Sequence, residues 1–120
     1  MRTILIIEDQ SDVQTLLEIA LSHPERRLLR ALNGEEGLAL ARNERPDLIL
    51  LDVMMPGEMD GLALLRLLRA DPSLAGVKVV VMSARTQEKD IAAAVAAGAD
   101  DYLPKPFRIK ALQERVARYL

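Results

Sequence analysis

Leu48-Ile49-Leu50-Leu51-Asp52 is four aliphatic residues in succession followed by a carboxylate. A short continuous apolar run of this kind reads as a strand buried on both faces, as in a parallel sheet covered by helices. Three more runs share the form. Ile4-Leu5-Ile6-Ile7 leads into Glu8-Asp9, Val79-Val80-Val81-Met82 into Ser83, and the weaker Tyr102-Leu103 through Pro104 into Lys105-Pro106. In open parallel sheets, ligands bind beyond the carboxyl ends of the strands. If these strands are parallel neighbours, three carboxylates, a hydroxyl and an ammonium meet there, the chemistry of a divalent cation and a phosphoryl group.

Composition narrows the class. The 120 residues suit one domain with a single core and no staples. Half the chain is apolar, yet Tyr102, Phe107 and Tyr119 are its only aromatic residues, so the core is aliphatic. The net charge of −2 comes from mixed signs without a basic stripe, and direct nucleic-acid binding is not expected. The lack of cysteine excludes disulfides and thiolate metal sites and fits a reducing compartment. Met1-Arg2-Thr3 runs straight into a four-residue apolar run, too short for a signal-peptide core. No stretch approaches the roughly 18 apolar residues that span a bilayer. The expectation is a soluble cytoplasmic domain without membrane contact.

Strand and helix alternate five times, which predicts an α/β sheet with helices on both faces. Ser11-Asp12-Val13-Gln14 reads as a capping box, with Ser11 capping and Gln14 reaching back. The helix it opens carries Val13, Leu16, Leu17, Ala20 and Leu21 and is closed by Pro24. Arg27 to Ala31, flanked by charge, is placed at a sheet edge. Asn33-Gly34 starts a helix carrying Leu38 and Ala41. Asp60 is predicted to cap a helix holding Leu62, Leu65 and Leu68, which ends near Asp71-Pro72. Thr86 is expected to cap the following helix, with Gly98 at its end. The last helix, about 109 to 119, is expected to bury Ile109, Leu112 and Val116.

Asp52 is the strongest candidate for chemistry. It ends the most apolar strand, where a carboxylate is costly unless paired or metal-bound. Taken alone it also fits a turn or cap. Glu8-Asp9, two acids ending another buried strand, would repel Asp52 unless a cation intervened. Oxygen donors without cysteine favour Mg²⁺, or Mn²⁺. The single histidine, His23 beside Pro24, reads as a surface loop residue. Lys105 is flanked by Pro104 and Pro106, which restrict the backbone around it. Its ammonium can pair with Asp52 at rest and with a phosphoryl oxygen afterwards.

In this order and spacing, Glu8-Asp9, Asp52-Val53-Met54-Met55-Pro56-Gly57 with Asp60-Gly61, Ser83-Ala84, and Gly98-Ala99-Asp100-Asp101-Tyr102-Leu103-Pro104-Lys105-Pro106-Phe107 are highly specific. The chain resembles a receiver domain of the two-component response regulators over essentially its whole length, residues 1–120. The resemblance implies a flavodoxin-like fold, a single doubly wound five-stranded parallel sheet of order 2-1-3-4-5 with five helices. It implies that Asp52 is the phosphoacceptor, taking a phosphoryl group from a histidine kinase or phosphotransfer protein. Asp9 would ligate Mg²⁺ directly, Glu8 mostly through water, and Asp52 and the Met54 backbone carbonyl would complete the protein ligands. Ser83 would bond one phosphoryl oxygen and Lys105 neutralise another, with a cis bond between Lys105 and Pro106. Ser83 and Tyr102 would form the switch, read out on the helix from about Gln87 to Ala97, the Asp101–Leu103 strand and the last helix. Such a protein is a signalling switch, limited to self-directed phosphotransfer and autodephosphorylation. Its chemistry rests on positioning and charge neutralisation, and the acyl phosphate is labile. The partners implied are the phosphodonor and an unidentified output domain or target protein, with the chain a monomer or a phosphorylation-dependent dimer.

Two features depart from the family pattern. Gly57-Glu58-Met59 makes the segment between Pro56 and Asp60 one residue longer than the commonest spacing. Asp101 and Arg115 are candidates for a pair across a dimer, but the exposed side of the alanine-rich helix lacks the usual basic residue. Two other functions compete. A degenerate receiver acting as a phosphorylation-independent interaction module is weakened because every chemical position is filled. An aspartyl-nucleophile phosphatase needs a second acid two residues after the nucleophile, where Met54 stands. A Rossmann domain is disfavoured because no glycine-rich fingerprint follows the first strand.

Overall fold

Ile4–Ile7, Leu48–Leu51 and Val79–Met82 are without solvent exposure, which only strands covered on both faces achieve. In a computed structural model that describes residues 1–55 and 60–120, they form the centre of a five-stranded parallel sheet. The chain runs β1 (Arg2–Ile7), α1 (Ser11–Leu21), β2 (Arg26–Ala31), α2 (Gly34–Glu44), β3 (Leu48–Asp52) and α3 (Gly61–Ala70). A short 3₁₀ turn (Pro72–Leu74) leads to β4 (Lys78–Ser83), α4 (Glu88–Ala97), β5 (Asp101–Pro104) and α5 (Ile109–Arg118). The sheet order is β2-β1-β3-β4-β5, with β2 at the edge as its charged flanks imply.

Side chains alternate across each strand, so one run feeds two cores. Leu5, Ile7, Ile49, Leu51, Val79 and Val81 face Ala41 of α2, Leu64, Leu65 and Leu68 of α3, and Ala94 and Ala97 of α4. Ile4, Ile6, Leu48, Leu50, Val80 and Met82 face Leu17 and Leu21 of α1 and Leu112 and Val116 of α5. The doubly wound arrangement is complete. Among the described residues, no helix is long and apolar enough to cross a membrane.

Register brings the functional strand ends level. Ile7 pairs with Leu51, Asp52 with Met82, and Ser83 with Pro104. Glu8, Asp52, Ser83 and Lys105 therefore emerge on one edge of the sheet.

Helix ends differ from expectation in three places. Gln10, not Ser11, is the N-cap of α1, and no side chain caps it. Gln14 instead turns inward and is wholly buried, because strand carbonyls compete for its amide better than a helix end that water can reach. Gln87 replaces Thr86 as the N-cap of α4, since its carbonyl accepts the Asp90 and Ile91 N–H groups and so starts the helix one residue later. Ile109 is 38% exposed at the first position of α5, while Phe107 just before it packs against the α1–α5 core. The remaining ends follow the sequence: Asp60 Oδ1 accepts the Ala63 N–H at 2.8 Å, and Gly98 ends α4 at φ +111°. Pro56 and the longer segment Gly57-Glu58-Met59 lie outside the described residues.

Candidate functional site

Two strand ends bring together a carboxylate cluster. Glu8 and Asp9 follow β1 directly, and Asp52 is the last residue of β3. One carboxylate oxygen from each lies within 4.8 Å of the others. Glu8 is wholly buried and Asp52 only 4% exposed. The Lys105 ammonium reaches both, 3.4 Å from Asp52 Oδ2 and 3.5 Å from Glu8 Oε1. The pairing with Asp52 is the one its position predicts; that with Glu8 is additional. Asp52 Oδ1 also accepts the Met54 N–H at 2.9 Å, which ties the carboxylate to the segment that follows it.

One ammonium does not balance three carboxylates. Neither carboxylate oxygen of Glu8 has a hydrogen-bond partner among the described residues. Burial first, and the adjacent Asp52 carboxylate second, push the Glu8 carboxyl up to about 8, with Lys105 offsetting part of the rise. A buried carboxylate in this position calls for a proton or a further cation. The donors are all oxygen, so the cluster is able to coordinate a metal ion of the hard divalent class.

Ser83 and Tyr102 meet through Arg85. Ser83, wholly buried at the end of β4, accepts the Arg85 N–H on Oγ at 3.0 Å. The Tyr102 hydroxyl on β5 donates to the Arg85 carbonyl. The Lys105 N–H donates to the Ser83 carbonyl at 2.8 Å, and the Lys105–Pro106 bond is cis. The ammonium and the hydroxyl thus share one backbone anchor. A cavity of about 350 Å³ opens beside them, bordered by Val53, Met55, Asp60, Ser83, Arg85 and Tyr102.

Two further findings alter the sequence reading. Asp101 and Arg115, candidates for a pair between chains, bond to each other within one chain at 2.8 Å, and the Tyr119 hydroxyl donates to Asp101 at 2.9 Å. Gln14 is a site-supporting residue that the capping-box reading missed. Its side-chain amide donates to the carbonyls of Ile6 at 2.7 Å, Ala31 at 2.8 Å and Glu8 at 3.3 Å. The signal was present: Gln14 shares a helical face with Leu17 and Leu21, a polar residue on a buried stripe.

Comparison with known proteins agrees with this geometry. The profile of the response regulator receiver domain matches residues 4–117. The chain is 38% identical over its full 120 residues to the transcriptional regulatory protein AfsQ1 of Streptomyces coelicolor, covering 52% of that protein. It is 42% identical over 116 residues to the KDP operon transcriptional regulatory protein KdpE of Escherichia coli, covering 97% of this chain and 50% of the relative. It therefore spans about half the length of these relatives. Among solved structures it superposes on the chemotaxis protein CheY4 of Vibrio cholerae with a TM-score of 0.92 at 26% identity, covering 100% of this chain and 99% of the other. Receiver domains are signalling switches that carry out phosphotransfer on themselves rather than on an external substrate. The carboxylate cluster is consistent with the phosphorylation and metal site of such a switch, and the chain belongs to the response regulator receiver domain family.

Proposed function

We propose that Asp52 is the phosphoacceptor and that Glu8, Asp9, Asp52 and the Met54 carbonyl hold Mg²⁺. The observation that carries this reading is the single ammonium of Lys105 set against Glu8 and Asp52, while neither Glu8 oxygen has a hydrogen-bond partner among the described residues. Bound Mg²⁺ supplies charge neutralisation for the transferring phosphoryl group. An Asp52 oxygen attacks phosphorus and forms an O–P bond, and the P–N bond of a phosphohistidine breaks with its electron pair left on the imidazole. Lys105 neutralises one phosphoryl oxygen with the ammonium that faces Asp52 at rest. The Ser83 hydroxyl bonds another, giving up its contact with the Arg85 N–H.

That exchange is the switch. Arg85 holds Ser83 through its N–H and Tyr102 through its carbonyl, so movement of Ser83 reaches Tyr102 and from there α4, β5 and α5. The phosphodonor is a histidine kinase or phosphotransfer protein, placed with this domain in the cytoplasm. The target is an output domain or separate protein, met as a monomer or as a phosphorylation-dependent dimer. Acetyl phosphate or beryllofluoride with Mg²⁺ tests the assignment: wild type is modified and Asp52→Asn is not. Equal labelling of Asp52→Asn would remove Asp52 from its role.

A further inference from the structure

We infer that Gln14 is a positioning residue for the cation-binding carboxylates, acting through the backbone of Glu8. The inference rests on the metal reading above and goes a step beyond it. Among the described residues, the Glu8 side chain enters the site with no hydrogen bond to either oxygen, and its one ion pair is with the Lys105 ammonium at 3.5 Å. A side chain so weakly held is placed by its own main chain. That main chain lies just beyond the last β1–β2 pair, Ile7 with Ala31, where the ladder stops.

Gln14 extends the ladder by one position. The Glu8 N–H donates to the Ala31 carbonyl at 3.0 Å, and the same carbonyl accepts the Gln14 amide at 2.8 Å. The Gln14 amide also takes the Ile6 carbonyl at 2.7 Å and the Glu8 carbonyl at 3.3 Å. One wholly buried NH₂ group thereby joins the main chain on both sides of Ile7 to the neighbouring strand. Its two hydrogens are shared among three acceptors, and the long contact to Glu8 is the weakest of them. Without the amide, the Ile6 and Glu8 carbonyls lose this donor and the Ala31 carbonyl keeps the Glu8 N–H alone. The peptide carrying Glu8 and leading into Asp9 is then free to tilt. Groups that orient metal ligands from behind commonly alter metal affinity by about tenfold or more when removed.

The test compares Mg²⁺ affinity, from amide chemical shifts in titrations of the whole chain, with stability from urea unfolding. The proteins are wild type, Gln14→Met, Gln14→Asn and Leu17→Ala. Met keeps the length of the side chain without the donor, and Asn keeps the amide one methylene short. Leu17→Ala disturbs the same helix through the core alone. Both Gln14 variants are expected to bind Mg²⁺ roughly tenfold more weakly, with shifted Glu8 and Asp9 amide resonances before metal is added. Leu17→Ala is expected to lose stability with its Mg²⁺ affinity kept. Wild-type affinity in the Gln14 variants overturns the inference and leaves the metal reading standing. Equal loss of affinity in Leu17→Ala overturns it too, since general loosening then explains the effect. Failure of wild type to bind Mg²⁺ overturns the metal reading, and this inference with it.

Discussion

Gly61 stands directly against the main chain of Val53: a Cβ on Gly61 would lie 2.2 Å from Val53 Cα and 2.8 Å from the Asp52 carbonyl oxygen. The first residue of α3 thus packs on the strand end that carries the candidate phosphoacceptor, and only a hydrogen fits between them. Asp60, capping α3 from the preceding position, fixes the approach.

Gly61→Ala is therefore expected to lower stability by about 1–3 kcal/mol, because the opposing atoms are backbone and have nowhere to go. It should also slow labelling by acetyl phosphate by displacing Val53 from Asp52. Gly37 provides the contrast. The three atoms nearest its Cβ would all belong to the side chain of Ile7, the closest Cδ1 at 2.6 Å, and a helical Gly→Ala exchange gains about 0.5–1 kcal/mol. Urea unfolding of the two variants should separate them, with Gly37→Ala the closer to wild type.

The strand ends were legible because burial on both faces forces unbroken aliphatic runs, and a polar residue closing one such run fits a turn or cap while several closing neighbouring runs point to a shared site. Ile4–Ile7 into Glu8, Leu48–Leu51 into Asp52 and Val79–Met82 into Ser83 gave the sheet and the convergence together. The order of the strands and the roles at their ends came from family resemblance. Helix caps were less legible. Gln14 and Gln87 lie where several hydrogen-bond solutions compete locally, and the winner depends on which carbonyls the fold brings near. Gly61 was visible as part of a motif, but the reason for a glycine is a contact across the β3–α3 connection.

Acidity should act on the metal-free protein through Glu8. Its carboxyl titrates near 4.5 when unfolded and is pushed up to about 8 in the fold. The folded chain then holds a proton that the unfolded chain has released between those values, so stability is full below the lower one and falls as pH rises toward the upper. In EDTA, wild type should lose more thermal stability than Glu8→Gln between about pH 5.5 and about pH 8.5. Added Mg²⁺ should stabilise wild type more at the higher pH, since binding displaces that proton. Parallel losses in wild type and Glu8→Gln would contradict this account.

At the opposite end of the sheet, Arg69 of α3 fastens the turn after α4. Its guanidinium donates to the Gly98 carbonyl at 2.8 Å, the Val77 carbonyl at 2.7 Å and Asp100 Oδ2 at 2.6 Å. Asp100 in turn accepts the Val79 N–H at 2.8 Å. Three acceptors around one planar fork suit Arg and not Lys. Arg69→Ala is expected to cost about 2–3 kcal/mol, and Arg69→Lys to recover little of it, as read by urea unfolding.

Lys105→Ala separates binding of the metal from response to the phosphoryl group. The substitution removes the ammonium that lies 3.4 Å from Asp52 and 3.5 Å from Glu8, leaving the carboxylates more strongly negative. Mg²⁺ affinity should be kept or raised. Beryllofluoride with Mg²⁺ should shift the Arg85 amide and the Tyr102 ring resonances of wild type, because Ser83 and Tyr102 hold the two sides of the same residue. In Lys105→Ala those shifts should be lost, since the ammonium beside Asp52 is gone although the backbone N–H that anchors the Ser83 carbonyl is kept. Tyr102→Phe frees the Arg85 carbonyl and should move the Arg85 amide toward its activated position without beryllofluoride. An Arg85 resonance that ignores both phosphoryl mimic and hydroxyl removal would leave Ser83 and Tyr102 unconnected.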